Sequence, residues 1–244
     1  MVELARGRYV ARLADGDEDV RAALALRALC FRGVADPKLD RDQFDDTCRH
    51  VLVEHQESGE VVCCFRLLQL QDGRDIGRSY SAQFYNLKNL ESYEGSLVEM
   101  GRFCIHPDLK DADVLRVAWG AMTRFVDERD VDLLFGCSSF HGIDQEAHAE
   151  AFVLLKEKHL APKRWLPRVK APSVFRFASR LRPRQPNLKA AMQSMPPLLR
   201  TYLLMGGWVS DHAVVDRDLN TLHVFTGLEV KSVPDNRKRL LRAT

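Results

Sequence analysis

The sequence lacks several features that would place it in a familiar class of protein. No apolar run reaches the roughly 18 residues that a membrane-spanning helix requires. The N-terminal stretch contains no apolar core of the kind found in secretory signals, so we expect a cytoplasmic protein. The six cysteines form no Cys-x-x-Cys pair and lie mostly inside apolar runs. We therefore expect reduced, buried thiols, with neither disulfides nor a metal site.

Charge is unevenly distributed along the chain, although the formal net charge is only +2. Residues 161–244 contain 16 Lys/Arg and 5 Asp/Glu, whereas the first 160 residues contain 20 and 29. A basic C-terminal third suits an acidic protein partner, an anionic membrane surface or nucleic acid. A solvated basic face without a partner is the alternative.

Apolar periodicity predicts an α/β protein with a mixed sheet between helices. The predicted strands are 8–14, a hairpin within 50–70 that turns at 57–60, 97–106 and 131–142. The predicted helices are 17–33, 112–128 and 144–160, and a further helix is expected somewhere within the mixed stretch 80–93.

The composition of the sequence changes after residue 160, where proline and arginine become frequent. This composition predicts a basic connector over 161–189. A new helix is expected at the Pro196-Pro197 pair, and two late strands are expected at 209–216 and 221–230. We expect residues 1–162 to form the core domain and residues 163–244 to pack on it and complete the same domain.

Ionic side chains interrupt two strands that are otherwise apolar. Arg66 lies in the run EVVCCFRLLQL, and isolating a guanidinium from water is costly unless it is paired. Glu99 and Arg102 raise the same problem in LVEMGRFCI, where Gly101 permits a bulge that would re-aim one side chain. Carboxylates of the run DRDQFDD and Arg27 in LRALCF would converge with them. Either a structural ion network or a functional site accounts for such a convergence.

These residues resemble, in this order, the signature of the acyl-homoserine lactone synthases, which are GNAT-like acyltransferases that take acyl chains from acyl carrier protein. The matching positions are Arg27, Phe31, Asp42, Asp45, Arg66, Glu99, Arg102 and Phe103. The tryptophan that usually follows the Phe31 position is absent from RGVAD. The wider pattern, including FDDTCRHVLV, EMGRFCIHPD, LFGCSSFHG and MPPLLRTYLLMGGW, is similar to the bacterial ornithine N-acyltransferases over nearly the whole chain.

The resemblance implies a GNAT-like fold, with a mostly antiparallel twisted sheet flanked by helices. It implies transfer of a (3-hydroxy)fatty acyl group from an acyl carrier protein thioester to the α-amino group of L-ornithine, which yields lyso-ornithine lipid. The carrier protein would be donor substrate and partner, with no permanently bound cofactor and no metal. Glutamine or glycine is an alternative acceptor. A non-catalytic module that binds the carrier protein or nucleic acid is an alternative of another class. Aromatic residues are only loosely interleaved with the basic ones, so no nucleic acid is expected.

The resemblance also implies roles for individual residues. Glu99 would be the general base for the attacking amine, and backbone N–H groups near residues 100–102 would stabilise the oxyanion. Arg66 or Arg102 would bind the ornithine carboxylate. The δ-ammonium would be bound by Asp42 or Asp45. The expected catalytic residues are Glu99, Arg102 and Ser139, and the expected substrate-binding residues are Arg27, Phe31, Asp42, Asp45, Arg66, Phe103, Ser138 and His141.

Two segments concern the binding of the acyl donor. Ser138, Ser139 or His141 in CSSFHG would contact the pantetheine arm or protonate the departing thiolate. The loop HPDLKDADVLR has no glycine and three aspartates, so it suits the pyrophosphate of coenzyme A poorly and favours a carrier-protein donor. Asp111 or Asp113 capping the next helix would explain the same aspartates.

The apolar run PPLLRTYLLMGGW lies beside basic flanks. It predicts either peripheral contact with an anionic membrane or an ordinary helix that packs on the core.

Overall fold

The computed structural model describes residues 3–242, without the side chains of residues 39, 240 and 241. The strands are β1 (Glu3–Arg6), β2 (Tyr9–Leu13), β3 (Arg49–His55), β4 (Val61–Leu70), β5 (Tyr85–Asn86), β6 (Ser96–Ile105), β7 (Val131–His141), β8 (Arg168–Val169), β9 (Val174–Phe175), β10 (Trp208–Asp216) and β11 (Thr221–Glu229). The α-helices are α1 (Asp17–Arg32), α2 (Ala112–Glu128), α3 (Ala149–Lys158), α4 (Phe177–Arg180), α5 (Leu188–Ser194), α6 (Pro197–Leu204) and α7 (Asp235–Arg242).

The chain forms two compact units. The first unit contains the described residues up to Gln69, Met100–Val131 and the stretch from Asp235 onward. The second unit contains Leu70–Glu99 and Asp132–Pro234. Strand β6 therefore contributes its residues 96–99 to the second unit and its residues 100–105 to the first.

The first unit is built on the strand order β1-β2-β3-β4-β6, and the pairings from β1 to β4 are antiparallel. Strand β4 is buried continuously from Val62 to Leu68, as its apolar run, broken only by Arg66 over these residues, predicts for a covered central strand. Helix α1 ends at Gly33, whose left-handed φ of 76° lets its N–H donate to the Leu29 carbonyl at 3.0 Å. These elements place Arg27 of α1 and Arg66 of β4 in the same unit.

The second unit contains the antiparallel order β7-β11-β10-β9. Helices α3 to α6 contribute to one apolar cluster, through residues such as Phe152, Phe177 and Leu199. Phe140 of β7 and Val224 of β11 belong to the same cluster. The C-terminal stretch thus supplies the strands β9, β10 and β11, and β11 pairs directly with β7. The predicted division of the chain at residue 162 stays a prediction.

Most of the predicted elements are confirmed. Helix α2 has the predicted bounds, the predicted hairpin is β3–β4, and α6 begins at Pro197. The predicted connector holds only the short elements β8, β9, α4 and the start of α5. Among the described residues, no helix combines the length and the apolar character needed to cross a membrane.

The helix expected within residues 80–93 is not found as an α-helix. This segment consists of 3-10 turns at Ser81–Gln83 and Lys88–Leu90, with β5 between them. Serine and asparagine favour turns because their side chains bond nearby backbone groups. Asn86 does so here, since its Oδ1 accepts the Lys88 N–H at 3.1 Å.

Candidate active site

Arg66 is a charged residue buried in the middle of β4, and carboxylates neutralise it. Its Nη1 donates to Asp42 Oδ1 at 2.6 Å and to Asp45 Oδ1 at 2.7 Å. Its Nη2 donates to Asp42 Oδ2 at 2.8 Å, and its guanidinium lies 5.4 Å from the centre of the Phe44 ring. The requirement that a buried Arg66 be paired is confirmed, and the run DRDQFDD supplies these partners.

Arg27 binds the same run of aspartates from helix α1. Its Nε donates to Asp40 Oδ2 at 2.7 Å, its Nη1 to Asp45 Oδ1 at 2.5 Å, and its Nη2 to the Asp40 carbonyl at 2.8 Å. The side chains of Asp40 and Asp45 have no exposed surface. Burial raises the pKa of Asp45, but hydrogen bonds from Arg27 and Asp42 N–H, with the charges of Arg27 and Arg66, outweigh it and lower the pKa to about 2.

Arg102 approaches these aspartates from β6. Its Nε donates to Asp40 Oδ2 and its Nη2 to Asp42 Oδ2, both at 3.2 Å. Its φ of 54° lies in the left-handed region, which is uncommon for a residue other than glycine. The backbone is therefore irregular at the residue after Gly101, while the bulge predicted there stays a prediction. The guanidinium also lies 6.0 Å from the centre of the Phe31 ring.

We call this group of six residues the Arg–Asp cluster: Arg27, Asp40, Asp42, Asp45, Arg66 and Arg102. Its three guanidiniums and three carboxylates balance one another. The edge of the cluster is formed by Asp42 and Arg102, whose side chains are 24% and 11% exposed. The predicted convergence of ionic groups from separate segments is thus confirmed for the first unit. Asp40 was not among the predicted site residues, although it belongs to the run that drew attention.

Two aromatic residues that the resemblance singled out lie near the Arg–Asp cluster in sequence or in space. Phe31 is half-buried and contacts Arg102 as described. Phe103 is half-buried and stacks on Phe65 with ring centres 5.6 Å apart. Their roles in substrate binding stay predictions.

Glu99 belongs to the second unit and is 4% exposed. Its Oε2 accepts the Tyr80 N–H at 2.8 Å, and its Oε1 accepts both the N–H and the hydroxyl of Ser81, at 2.7 and 2.6 Å. These donors hold the carboxylate in one orientation. Sequence reasoning missed both partners, because the stretch that carries them was expected to contain a helix and no turn was placed there.

Strand β7 carries the other predicted residues of the second unit. Ser138 is buried, and its hydroxyl accepts from Thr226 Oγ1 at 2.9 Å. Ser139 is exposed on the other face of β7. Because side chains alternate along a strand, Cys137 lies on the same face as Ser139. The Cys137 thiol lies 3.4 Å from the Ser81 hydroxyl. Ser139 and the Glu99-bound Ser81 are therefore associated with the same face of the second unit, whereas Ser138 is not.

His141 is exposed at the end of β7. Its carbonyl accepts a hydrogen bond from His148 Nε2 at 2.9 Å. The role predicted for its side chain stays a prediction.

The N-terminus of α2 is occupied by the protein's own carboxylate. Asp111 is the N-cap, and its Oδ1 accepts the Asp113 N–H at 2.9 Å. Its Oδ2 accepts from Tyr9 Oη at 3.0 Å and from Arg8 Nη2 at 2.6 Å. These donors lower the pKa of Asp111, the Asp113 N–H most of all. The capping role predicted for Asp111 or Asp113 is confirmed for Asp111.

Metal ligands are not grouped in the part of the chain that the structure describes. No three His, Cys, Asp or Glu side chains there are arranged so that they could hold a metal ion.

Comparison with known proteins identifies the family. Residues 28–120 match the acetyltransferase (GNAT) domain family. An L-ornithine N(α)-acyltransferase of Rhodobacter capsulatus is 31% identical over 244 residues, which cover 94% of this chain and 93% of that protein. Another, from Brucella abortus, is 30% identical over 246 residues, covering 93% of this chain and 86% of that protein.

A solved structure agrees with this fold assignment. FeeM, an N-acyl amino acid synthase from uncultured soil microbes, superimposes with a TM-score of 0.50 over 92% of each chain, at 10% identity. The predicted GNAT-like fold, with its mostly antiparallel sheet and flanking helices, is therefore confirmed. The alternative of a non-catalytic binding module is wrong, because the relatives are N-acyltransferases. The chain is an N-acyltransferase and belongs to the L-ornithine N(α)-acyltransferase family.

Proposed function

We propose that the protein transfers a (3-hydroxy)fatty acyl group from the thioester of acyl carrier protein to the α-amino group of L-ornithine, which yields lyso-ornithine lipid. The observation that carries this proposal is the similarity to the Rhodobacter capsulatus ornithine acyltransferase over nearly the full length of both chains. The same chemistry on glutamine or glycine is the alternative. No cofactor is needed beyond the donor itself.

The proposed reaction requires a base and an acid. The amine nitrogen attacks the thioester carbon, a C–N bond forms, and the C–S bond breaks as the carrier thiol leaves. Glu99 would accept the proton that the amine loses, directly or through water, which typically contributes ~10²–10⁴ in rate. The fixed orientation of its carboxylate supports this role. Ser139, exposed on β7, would return a proton to the thiolate.

The acceptor would bind at the edge of the Arg–Asp cluster. Arg102 and Asp42 have exposed surface, so we assign the ornithine carboxylate to Arg102 and the δ-ammonium to Asp42. Asp45 has no exposed surface, and the Arg66 side chain is only 3% exposed. These two residues, with Arg27, would shape the site from behind without contacting ornithine.

The capped start of α2 favours a carrier-protein donor. A pyrophosphate at a helix N-terminus needs free N–H groups and a favourable potential. Asp111 already accepts the Asp113 N–H there and adds a negative charge. A carrier protein would present only one phosphodiester to the pocket. Its acidic surface would be complementary to the basic C-terminal third.

Peripheral contact with an anionic membrane would follow from the product, which is a single-chain amphiphile. The face of α6 formed by Leu199 and Tyr202 is buried, so for these residues the competing expectation of core packing is confirmed. Exposed apolar residues lie on α5, where Leu188 and Met192 are one turn apart and 59% and 39% exposed, and at the end of α6, where Leu204 is 55% exposed. Residues 158–210 contain 11 Lys/Arg and no Asp/Glu. This combination suits an anionic lipid surface.

The function is tested by offering the purified protein a 3-hydroxyacyl carrier protein, or the matching acyl-CoA, with a panel of amino acids. Mass spectrometry would identify any N-acylated product. We expect N-acyl-ornithine from the carrier-protein donor and much slower transfer from acyl-CoA. Glu99→Gln should lower turnover at least 100-fold, whereas Glu57→Gln, at an exposed turn between β3 and β4, should not change it.

Each part of the proposal has its own contrary outcome. Faster acylation of glutamine or glycine would replace ornithine as the acceptor. Equal use of acyl-CoA would remove the carrier-protein donor. A folded Glu99→Gln variant with near-normal turnover would remove the base.

A further inference from the structure

Residues 79–86 form a short segment that contacts the proposed base and that the sequence did not single out. Ser81 is fully buried in this segment. Its N–H and its hydroxyl both donate to Glu99 Oε1, and the Tyr80 N–H donates to Oε2. The segment therefore binds both oxygens of the carboxylate. Tyr80 and Ser81 stand at the start of the 3-10 turn Ser81–Gln83, where backbone N–H groups are commonly satisfied by side chains.

The basic C-terminal stretch braces the same segment. Strand β8 pairs with β5, with Tyr85 opposite Val169. Two further contacts flank this pairing: the Ala171 N–H donates to the Phe84 carbonyl at 2.9 Å, and Lys170 Nζ donates to the Ala82 carbonyl at 2.6 Å. The carbonyl that Lys170 binds thus belongs to the residue next to Ser81.

The same end of the segment is also anchored on β11. The Tyr85 hydroxyl donates to the His223 carbonyl at 2.7 Å and lies within the fully buried part of the unit. Phe84 packs edge-on against the His223 ring, with ring centres 5.0 Å apart. The residues that follow Ser81 are therefore held by elements far away in sequence.

We propose that Ser81 is a positioning residue for Glu99, and that Lys170 and β8 of the basic C-terminal stretch hold Ser81 in place. This inference rests on the proposed role of Glu99 as base. A base must present its carboxylate within hydrogen-bond reach of the amine or of one bridging water. The two donors of Ser81 fix the rotamer of Glu99, and its hydroxyl stabilises the ionised form that can accept a proton.

Removal of the Ser81 hydroxyl should change the pH dependence of activity in a defined direction. Without this donor the ionised carboxylate loses stabilisation, so the base becomes protonated at higher pH. The acid limb of the kcat/KM profile, on which activity rises with pH, should therefore move to higher pH. A hydrogen bond to a charged group corresponds to a displacement of about one to two pH units.

The test compares pH profiles of kcat/KM for the wild type, Ser81→Ala and Ser81→Thr, with folding checked by circular dichroism. We expect the displaced limb in Ser81→Ala and recovery towards the wild-type limb in Ser81→Thr, which keeps a hydroxyl. Lys170→Met should displace the limb in the same direction by a smaller amount. Ser92→Ala and Lys88→Met are matched controls at exposed turn positions of the same unit and should leave the profile unchanged.

The outcomes separate this inference from the proposed function. If Glu99→Gln abolishes turnover but a folded Ser81→Ala keeps the wild-type limb, Ser81 does not position the base and only the inference fails. If Glu99→Gln retains turnover, the proposed base fails and the inference with it. If Ser81→Ala does not fold, Ser81→Cys, with its weaker S–H donor, takes its place. An unchanged limb in that variant would overturn the inference equally.

Discussion

Asp45 is the carboxylate on which the buried part of the Arg–Asp cluster depends. Its Oδ1 accepts from Arg27 at 2.5 Å and from Arg66 at 2.7 Å, and its Oδ2 accepts the Asp42 N–H at 2.9 Å. Asp45→Asn preserves the shape of the side chain but leaves two buried guanidiniums without a shared counter-ion. Breaking a buried ion pair from one side costs about 3–5 kcal/mol. That is a large part of a typical unfolding free energy of about 5–15 kcal/mol.

The pKa of Asp45 gives a second measure of the same effect. In the folded protein this pKa is lowered from 3.8 to about 2. At about 1.36 kcal/mol per pH unit, the difference corresponds to roughly 2.5 kcal/mol of stability. Because the folded pKa lies below the unfolded one, this stabilisation is complete above about pH 4. It is lost as the pH falls towards 2.

The assay is urea unfolding of the wild type and Asp45→Asn, followed by circular dichroism from pH 7 downwards. We expect the variant to lose about 3–5 kcal/mol of unfolding free energy at pH 7. This difference should narrow as the pH falls from about 4 towards 2, because Asp45 of the wild type is then protonated in the unfolded chain before it is protonated in the folded protein. Asp46→Asn is the matched control, because Asp46 is 69% exposed and pairs with Arg41 at the surface. Its loss should not exceed about 1 kcal/mol. An Asp45→Asn variant as stable as Asp46→Asn would refute the reasoning.

Two further predictions concern the second unit. A Cβ added at Gly227 would collide with the Trp208 ring, which stacks on Phe225. Gly227→Ala should therefore lower the unfolding free energy by about 1–3 kcal/mol and change the tryptophan fluorescence. Unchanged stability and an unchanged spectrum would mean that the ring moves aside freely. The double variant Leu188→Gln with Met192→Gln should weaken flotation with vesicles that contain anionic phospholipid, whereas Val34→Gln, at a residue 57% exposed in the first unit, should not. Undiminished flotation, or binding of acyl carrier protein lost in its place, would remove the membrane assignment of α5.

Regular elements could be predicted from the sequence because their apolar spacing is regular. Helix α2 follows its apolar stripe from Ala112 to Glu128. Residues 80–93 also carry many apolar side chains, but Tyr85 and Leu87 lie in or next to the two-residue strand β5 and are buried without belonging to an α-helix. In such a segment the contacts with the rest of the fold decide which side chains are buried. An apolar spacing that resembles a helix can then arise by chance. That error also hid Ser81, whose role depends on the turn.

The ion pairs show the same limit at the level of the site. The sequence required a partner for Arg66, because a guanidinium cannot be buried alone. It did not identify which carboxylate of DRDQFDD would serve. Asp45 and Asp46 are neighbours, yet Asp45 is fully buried and Asp46 is largely exposed. Only the path of the loop separates their roles, and that path depends on packing against β4 and α1.

The Arg–Asp cluster and the irregular backbone of β6 meet in one residue. Arg102 has a positive φ, which costs a non-glycine residue roughly 1–3 kcal/mol, and its guanidinium binds Asp40 and Asp42. Buried ion pairs add little net stability, because apolar residues of the same volume often do as well or better. A network with a purely structural purpose therefore gives no reason to retain both the strain and the desolvated charges. The proposed reaction would give a reason if backbone N–H groups at residues 100–102 were its oxyanion donors, since one such donor contributes roughly 2.7–4 kcal/mol to lowering the barrier. By holding the Arg102 side chain, Asp40 and Asp42 would fix the direction of those N–H groups.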